Sequence, residues 1–212
     1  MLNTISFIKA NLQHSIAASM ILTRTVGVKE IYKALIQKPR YRGGCMRGLE
    51  YSRLYLVLCK WARQTSGLHS YEERDSLDAT RILLWGFGSN PAYLPYVYED
   101  LPPSKEIEDL VRLCEKENLY LVVGCESNAH YSVWGSTNCK SRGEALVEFL
   151  NTTNLEIINL GNESTFCSGG RLEVIDVTLS ALRLLESIIG WEVSSEPPLS
   201  NHKHILFVLW GS

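Results

Sequence analysis

Apolar and polar positions along the chain follow two periods, one typical of helices and one typical of strands. The segment after Pro102 and Pro103 has the clearest helical spacing. Its apolar side chains fall at i, i+3, i+4 and i+7: Ile107, Leu110, Val111 and Cys114. Acidic residues lie near the start of this segment, where the helix dipole favours negative charge. The continuous apolar run at residues 119–124 comes next, and it indicates a strand that is covered on both faces.

Other segments carry weaker versions of the same two patterns. Residues 5–12 are compatible with a strand, and Ser15 is a suitable N-cap for a helix that runs to about Arg24. Further predicted elements are a helix at residues 143–150 and strands at residues 54–58, 155–160, 172–179 and 204–210. Interleaved strands and helices predict a layered α/β fold. Residues 64–91 match no element well, although a structureless loop of that length is uncommon inside a compact domain.

The composition limits the class of protein. The chain has 212 residues, of which 45% are hydrophobic and 21% charged, so we expect one globular domain over residues 1–212. The formal net charge of −2 excludes a basic nucleic-acid arm and a polybasic membrane signal. No apolar run reaches the roughly 20 residues of a membrane helix, and the start of the chain lacks the features of a signal peptide. The six cysteines contain no C-x-x-C pair. We therefore expect an intracellular protein, nuclear or cytoplasmic and not secreted, with reduced thiols and no zinc site.

Polar residues at the ends of the predicted strands are the candidates for chemistry, because the strands of an α/β fold deliver side chains to a cleft. Asn11 ends the first strand, and residues 125–130 follow directly on the apolar run at residues 119–124. Asp176 lies inside an apolar stretch, where a carboxylate needs a partner. Residues 201–204 directly precede the last apolar run.

Each of these residues taken alone has an ordinary structural explanation. A strand-end Asn is usually a turn residue, a single His is usually a hydrogen-bonded polar group, and Asp176 could belong to a structural ion pair. Their occurrence at the ends of four candidate strands favours a shared site. A carboxylate beside an amide suits a hard cation and an attacking water, and a buried Asp suits an oriented imidazole. The residues alone therefore favour a metal-assisted hydrolase.

The same residues lie in longer stretches that resemble one family. The stretches are NLQHSIAAS from Asn11, LIQKPRYRGGCMRGL from Leu35, AYLPYVYEDLPPSKEIEDLV from Ala92, LVVGCESNAHYSVWGSTNCKSRGEALVEFLNTTNLEIINLGN from Leu121, TFCSGGRLEVIDVTL from Thr165 and PPLSNHKHILF from Pro197. They resemble the endonuclease domain of insect-type non-LTR retrotransposons, in the endonuclease/exonuclease/phosphatase superfamily. The resemblance spans nearly the whole chain and weakens at residues 54–91.

This resemblance implies a fold and a reaction. The implied fold is a four-layer α/β sandwich like that of deoxyribonuclease I, with two packed mixed sheets flanked by helices. The implied reaction is hydrolysis of a DNA phosphodiester with Mg²⁺ or Mn²⁺, which nicks target DNA for retrotransposition. DNA is therefore the expected partner, bound weakly because the chain is acidic, and no membrane is expected. The resemblance implies no particular protein partner.

The resemblance also implies six catalytic residues: Asn11, Tyr93, Glu126, Asn128, Asp176 and His202. Asn11 would lie beside the scissile phosphate and Tyr93 would contact it. Glu126 and Asn128 occupy the positions of the family's D-x-N motif, which places the attacking water and steadies the phosphate. Asp176 would hold the imidazole of His202, which would transfer a proton or stabilise charge at the phosphate.

Three positions depart from the family's pattern. Lys38 stands where the Q-E-P motif has a metal-binding Glu, Asn201 stands where the S-D-H motif has an Asp, and Glu126 replaces the D-x-N aspartate. The metal position is therefore Glu126, with Lys38 and Asn201 at substituted ligand positions. A fixed ammonium about 4 Å from a divalent ion costs on the order of 8 kcal/mol at an effective dielectric constant near 20.

These departures predict a nuclease of weak or no activity, with impaired binding of Mg²⁺ or Mn²⁺. Glu126 is also one methylene longer than the residue it replaces, and a misplacement of about 1 Å can cost a factor near 100 in rate. Two alternatives remain open. One is a non-catalytic module that binds phosphate or nucleic acid, with Lys38 standing in for the cation. The other is a decayed relic with no selected role.

Overall fold

The computed structural model describes residues 4–42, 45–49, 55–58, 82–88 and 105–210. The helices in these ranges are α1 (Ile16–Val28), α2 (Lys105–Lys116) and α3 (Ser141–Leu150). The strands are β1 (Thr4–Asn11), β2 (Lys33–Gln37), β3 (Tyr41–Arg42), β4 (Cys45–Met46), β5 (Tyr55–Leu58), β6 (Ile82–Gly88), β7 (Tyr120–Glu126), β8 (Leu155–Ile157), β9 (Phe166–Ser168), β10 (Arg171–Glu173), β11 (Asp176–Ala181), β12 (Ile188–Val193) and β13 (Ile205–Trp210). Short 3₁₀ turns lie at Ser132–Trp134 and Leu182–Ser187.

Two mixed sheets form the centre of the fold. The first sheet has five strands in the order β12-β13-β1-β2-β5, and the second has four strands in the order β6-β7-β11-β8. In the first sheet β2 is parallel to both β1 and β5, whereas β13 is antiparallel to its two neighbours. In the second sheet β6 and β7 are parallel, and β11 is antiparallel to its two neighbours. The ribbons β3-β4 and β9-β10 are separate two-stranded pairs.

Helix α1 covers the outer face of the first sheet. Its residues Leu22 and Val26 belong to one buried apolar cluster with Ile8 and Ile36 of that sheet. The helix begins where the side chain of Ser15 accepts a hydrogen bond from the backbone N–H of Ala18, so the predicted N-cap is confirmed. It continues to Val28, one turn beyond the predicted end.

Helices α2 and α3 cover the outer face of the second sheet. Leu110 of α2 and Leu146 of α3 share a buried cluster with Val123 and Leu179 of that sheet. Among the described residues, no helix is long and apolar enough to cross a membrane.

A third cluster fills the space between the two sheets. The rings of Phe7 and Phe207 stack there with centroids 4.8 Å apart, and Val122 of the second sheet belongs to the same cluster. The layers therefore follow the order α1, first sheet, second sheet, and α2 with α3. This arrangement confirms the four-layer α/β sandwich that the resemblance implied.

Some strands differ from those that the hydrophobic pattern predicts. β6 lies within residues 64–91, where no element was expected, and the rest of that stretch is outside the described residues. β12 was missed because Gly190, at φ +66°, accompanies a register shift that breaks the alternation of its side chains. The predicted strand at residues 172–179 is divided into β10 and β11, since Thr165 Oγ1 binds the backbone N–H groups of Ile175 and Asp176 at the break.

Candidate active site between the two sheets

Alternation along β1 directs two polar side chains into the space between the sheets. Phe7 lies in the cluster between the sheets, whereas Ile8 and Ala10 lie in the cluster under α1. Because successive side chains of a strand point to opposite faces, Lys9 and Asn11 share the face of Phe7. Both are buried, with exposures of 0% and 1%.

Two acidic residues of the second sheet face them. Glu126 is the last residue of β7 and Asp176 is the first residue of β11, and the two are register partners. Their exposures are 6% and 0%. The antiparallel pairing therefore places two carboxylates side by side at one edge of the sheet, next to the carboxyl end of β1.

Three donors converge on the Glu126 carboxylate. Lys38, which follows β2 in the left-handed conformation at φ +47°, brings its Nζ to 2.6 Å from Oε2. Asn11 Nδ2 donates to the same oxygen at 2.6 Å, and Asn128 Nδ2 donates to Oε1 at 3.3 Å. Glu126 is therefore the centre of a network that draws on both sheets.

The Asp176 carboxylate is held in a similar way. Lys9 Nζ pairs with its Oδ1, and His202 Nδ1 lies 2.8 Å from its Oδ2. Thr165 Oγ1 accepts the backbone N–H of Asp176 at 3.1 Å. Both oxygens and the backbone donor of this fully buried residue therefore have partners, as burial of a charge requires.

His202 lies between the two carboxylates. Its Nδ1 faces Asp176, and its Nε2 lies 3.9 Å from Glu126 Oε1. The ring meets Phe166 edge-on with centroids 4.9 Å apart, and the two residues also form an isolated antiparallel bridge. The imidazole is thus fixed in orientation, with only 1% of the residue exposed.

The electrostatics of Asp176 favour its ionised form. Burial raises its pKa, but the Lys9 ammonium and then the His202 imidazole together lower it by more, so the pKa lies below the usual value. Burial also raises the pKa of the neighbouring Cys125 thiol to about 12, and Lys9 offsets only part of that rise. Asp176 is therefore charged near neutral pH and Cys125 is a neutral thiol, not a nucleophile.

Comparison with known families gives a direct assignment. The model of the endonuclease-reverse transcriptase family matches residues 93–206, which is more than half of the chain. The chain belongs to this family. This match confirms the resemblance to a retrotransposon endonuclease. The matched residues include Glu126, Asp176 and His202.

A solved structure that matches nearly the whole chain shows the fold. The chain is similar to the endonuclease domain of TRAS1, a telomere-specific non-LTR retrotransposon, with a TM-score of 0.69 and 22% identity. That match covers 97% of this chain and 98% of the other. An AP endonuclease from Archaeoglobus fulgidus matches over 50% of this chain and 52% of its own, with 14% identity and a TM-score of 0.40. A comparison with curated proteins gave no match. The family member described here therefore has the deoxyribonuclease-I-like fold.

The residues expected from the family resemblance fall into three groups. One group is brought together in the described structure: Asn11, Lys38, Glu126, Asn128, Asp176 and His202. Asn201 differs, because it is exposed and its backbone N–H donates to Gln13 Oε1 at 2.9 Å. Tyr93 lies outside the described residues, so its expected contact with phosphate stays a prediction.

Sequence reasoning missed two residues of the network. Lys9 was overlooked because a lysine between two apolar residues of a strand usually faces water. Its spacing of two residues from Asn11 was the available signal, since i and i+2 of a strand share a face. Thr165 carried no signal, because its role depends on a loop that crosses the start of β11.

The side chains of this site do not fit a divalent cation. Magnesium and manganese prefer carboxylate oxygens with free lone pairs. Here both oxygens of Glu126 and both oxygens of Asp176 already face nitrogen donors, two of them ammonium groups. In the described ranges, no cluster of three or more His, Cys, Asp or Glu side chains is suited to a metal ion.

Proposed function

We propose that the chain is an endonuclease domain that acts on DNA phosphodiesters, derived from a non-LTR retrotransposon, and that this copy cleaves DNA weakly or not at all. The observation that carries the proposal is the 2.6 Å contact between Lys38 Nζ and Glu126 Oε2. This contact lies among residues that otherwise suit phosphodiester hydrolysis.

The hydrolytic part of the proposal is supported by the Asp176–His202 pair. His202 Nδ1 lies 2.8 Å from Asp176 Oδ2, and this contact fixes the orientation of the ring. The other ring nitrogen, Nε2, is on the side of Glu126. An imidazole held in this way can exchange a proton with a substrate oxygen at Nε2. Asn11 and Asn128 supply amide N–H groups beside it, which suit the oxygens of a phosphate.

The weak activity follows from the partners of Glu126. Lys38 neutralises its charge, and the amides of Asn11 and Asn128 donate to it rather than to a substrate. A carboxylate with three donors is a poor ligand and a poor base. The three donors on Glu126 therefore support weak or absent cleavage.

Nicking of supercoiled plasmid in Mg²⁺ and in Mn²⁺ tests the proposal. The samples are the chain as it stands, His202→Ala, and the triple variant Lys38→Glu, Glu126→Asp, Asn201→Asp. We expect the unaltered chain to nick slowly or not at all, at a rate close to that of His202→Ala, and the triple variant to nick measurably faster than both. Adding His202→Ala to the triple variant should abolish that gain. This control excludes a contaminating nuclease, whose activity would not depend on His202.

Two outcomes would contradict the proposal. Efficient nicking by the unaltered chain, lost in His202→Ala, would mean that the Lys38–Glu126 pair opens in solution and does not impair catalysis. A folded triple variant without activity would mean that the residues assigned here do not suffice for hydrolysis. Circular dichroism of each variant establishes that it is folded before its activity is compared.

A further inference from the structure

Each buried carboxylate of the site has its own ammonium partner. Lys9 pairs with Asp176, and neither side chain is exposed. Lys38 pairs with Glu126, with side-chain exposures of 16% and 8%. Two positive and two negative charges therefore cancel within the protein, at the place where the family resemblance implies a metal ion.

We propose that Lys9 and Lys38 are internal counter-ions that replace a divalent cation, so that this site assembles and is neutral without metal. The inference goes beyond the proposed function because it concerns ion binding and stability rather than cleavage. It assigns Lys9, which no sequence pattern singled out, to the site as a positioning residue for Asp176.

The use of every carboxylate oxygen supports the inference. Asp176 gives one oxygen to Lys9 and the other to His202. Glu126 gives Oε2 to Lys38 and Asn11, and Oε1 to Asn128. A metal ion at Glu126 would have to displace the ammonium of Lys38, whose side chain is 16% exposed. A metal ion that also used Asp176 would have to displace Lys9 and remain close to its ammonium, because Lys9 has no exposed surface toward which to move.

The packing around Lys9 leaves space for its side chain between the two sheets. Gly124 of β7 faces the lysine stem, and a Cβ added at Gly124 would lie 3.0 Å from Lys9 Cγ and 3.0 Å from Leu35 Cδ1. That separation is tighter than ordinary van der Waals contact. The absence of a side chain at Gly124 therefore provides the room in which the Lys9 stem crosses between the sheets.

Metal binding to the full chain tests the Lys38 half of the inference. Calorimetric titration with MnCl₂ and thermal unfolding in MnCl₂ or EDTA are the measurements. For the unaltered chain we expect no saturable binding and a Tm that changes by less than about 1 °C, since an ion that does not bind the native state does not stabilise it. Lys38→Glu should bind about one Mn²⁺ with an affinity at least about tenfold above any that the unaltered chain shows. Its Tm should rise when MnCl₂ is added, because two adjacent carboxylates then need a cation.

Two controls separate this effect from a change of net charge. Lys116→Glu makes the same charge change on α2, beyond the opposite end of β7, and should bind no Mn²⁺. Lys38→Gln removes the ammonium without adding a carboxylate, so it should bind Mn²⁺ more weakly than Lys38→Glu. If Lys38→Glu fails to fold, tighter binding by Lys38→Gln than by the unaltered chain still supports the inference. Saturable, stabilising binding of Mn²⁺ to the unaltered chain would overturn it, as would a folded Lys38→Glu without affinity.

A double variant tests the Lys9 half. Lys9→Met leaves the Asp176 carboxylate buried without its ammonium partner, so we expect the variant to unfold at a clearly lower urea concentration. Lys9→Met combined with Asp176→Asn removes both charges and should recover a large part of that loss. A double variant no more stable than Lys9→Met would overturn the counter-ion role. An inactive chain that nevertheless binds Mn²⁺ would contradict this inference and leave the proposed function intact.

Discussion

His204 is a buried histidine whose protonation opposes folding. The residue is 1% exposed, and within the described structure its Nδ1 has no hydrogen-bond partner. Burial lowers its pKa to about 4, and the Glu196 carboxylate raises it only in part. Because the folded pKa lies below the unfolded value, the unfolded chain takes up the proton first. Stability is therefore complete above about pH 6.5 and falls as the pH drops toward 4, by about 3 kcal/mol in total.

Urea unfolding at pH 7.5, 5.5 and 4.5 measures this effect. His204→Leu removes the titrating group, so its free energy of unfolding should decline less between pH 7.5 and 4.5 than that of the unaltered chain. His14→Asn, at an exposed histidine, is the matched control and should retain the full decline. Parallel curves for the unaltered chain and His204→Leu would contradict the assignment.

At the scale of single residues, the sequence identifies polar residues at strand ends, but it does not show which charged residues are buried. Asn11, Asp176 and His202 were singled out because polar residues occur together at four candidate strands, although each one alone has an ordinary structural explanation. Lys9 was not, because its burial depends on Asp176, which lies 167 positions away in the chain. The two alternatives considered for Asp176, an ion pair and a support for an imidazole, are both present, one on each oxygen.

At the scale of elements, the start of β11 depends on one hydroxyl. Thr165 is fully buried, and its Oγ1 accepts the backbone N–H groups of Ile175 and Asp176, each at 3.1 Å. Thr165→Val keeps the shape of the side chain but leaves both donors unsatisfied. We expect a loss of about 1–3 kcal/mol in the free energy of unfolding, measured with urea.

Amide hydrogen exchange distinguishes a local effect of this substitution from a global one. Thr165→Val should speed exchange at Ile175 and Asp176 more than at Val123 in the middle of β7. Thr165→Ser retains the hydroxyl and loses a methyl group, so it should keep both amides protected. Equal exchange in the Val and Ser variants would show that the hydroxyl does not hold this strand end.

The elements themselves could be predicted where one period dominates a long segment. α2 and β7 lie where the apolar pattern placed them, because α2 buries one continuous face and β7 is buried on both faces. β2 and β6 were not predicted, since their identity as strands depends on pairing with β1 and β7, which adjoin them in space. A short apolar run of this kind is a strand or a loop according to its neighbours.

At the scale of the whole molecule, the cluster between the sheets predicts cooperative unfolding. Phe7, Phe207 and Trp191 of the first sheet pack in it with Val122 of the second, so separating the sheets exposes residues of both. We expect far-UV circular dichroism and tryptophan fluorescence to report one transition with the same urea midpoint. Two midpoints, or a broad melt without a baseline, would instead favour the decayed relic.

Affinity for DNA is a second quantity that can be predicted at the scale of the whole molecule. Affinity for DNA comes largely from neutralised phosphates, and this chain has a formal net charge of −2 with both lysines of the site already paired. We expect a 20-base-pair duplex to bind with a Kd at or weaker than about 100 µM near physiological salt, measured by fluorescence anisotropy.

Releasing Lys38 should strengthen that association. Glu126→Gln removes the carboxylate that holds the ammonium, so Lys38 becomes available to a phosphate, and we expect about fivefold tighter binding at low salt. Glu117→Gln makes the same charge change at an exposed pair with Lys116 and is the matched control. An equal gain in both variants would mean that only net charge matters. A gain confined to Glu126→Gln that disappears at high salt would mean that the site at the ends of β2 and β7 accepts DNA, with Lys38 contacting a phosphate once Glu126 no longer holds its ammonium.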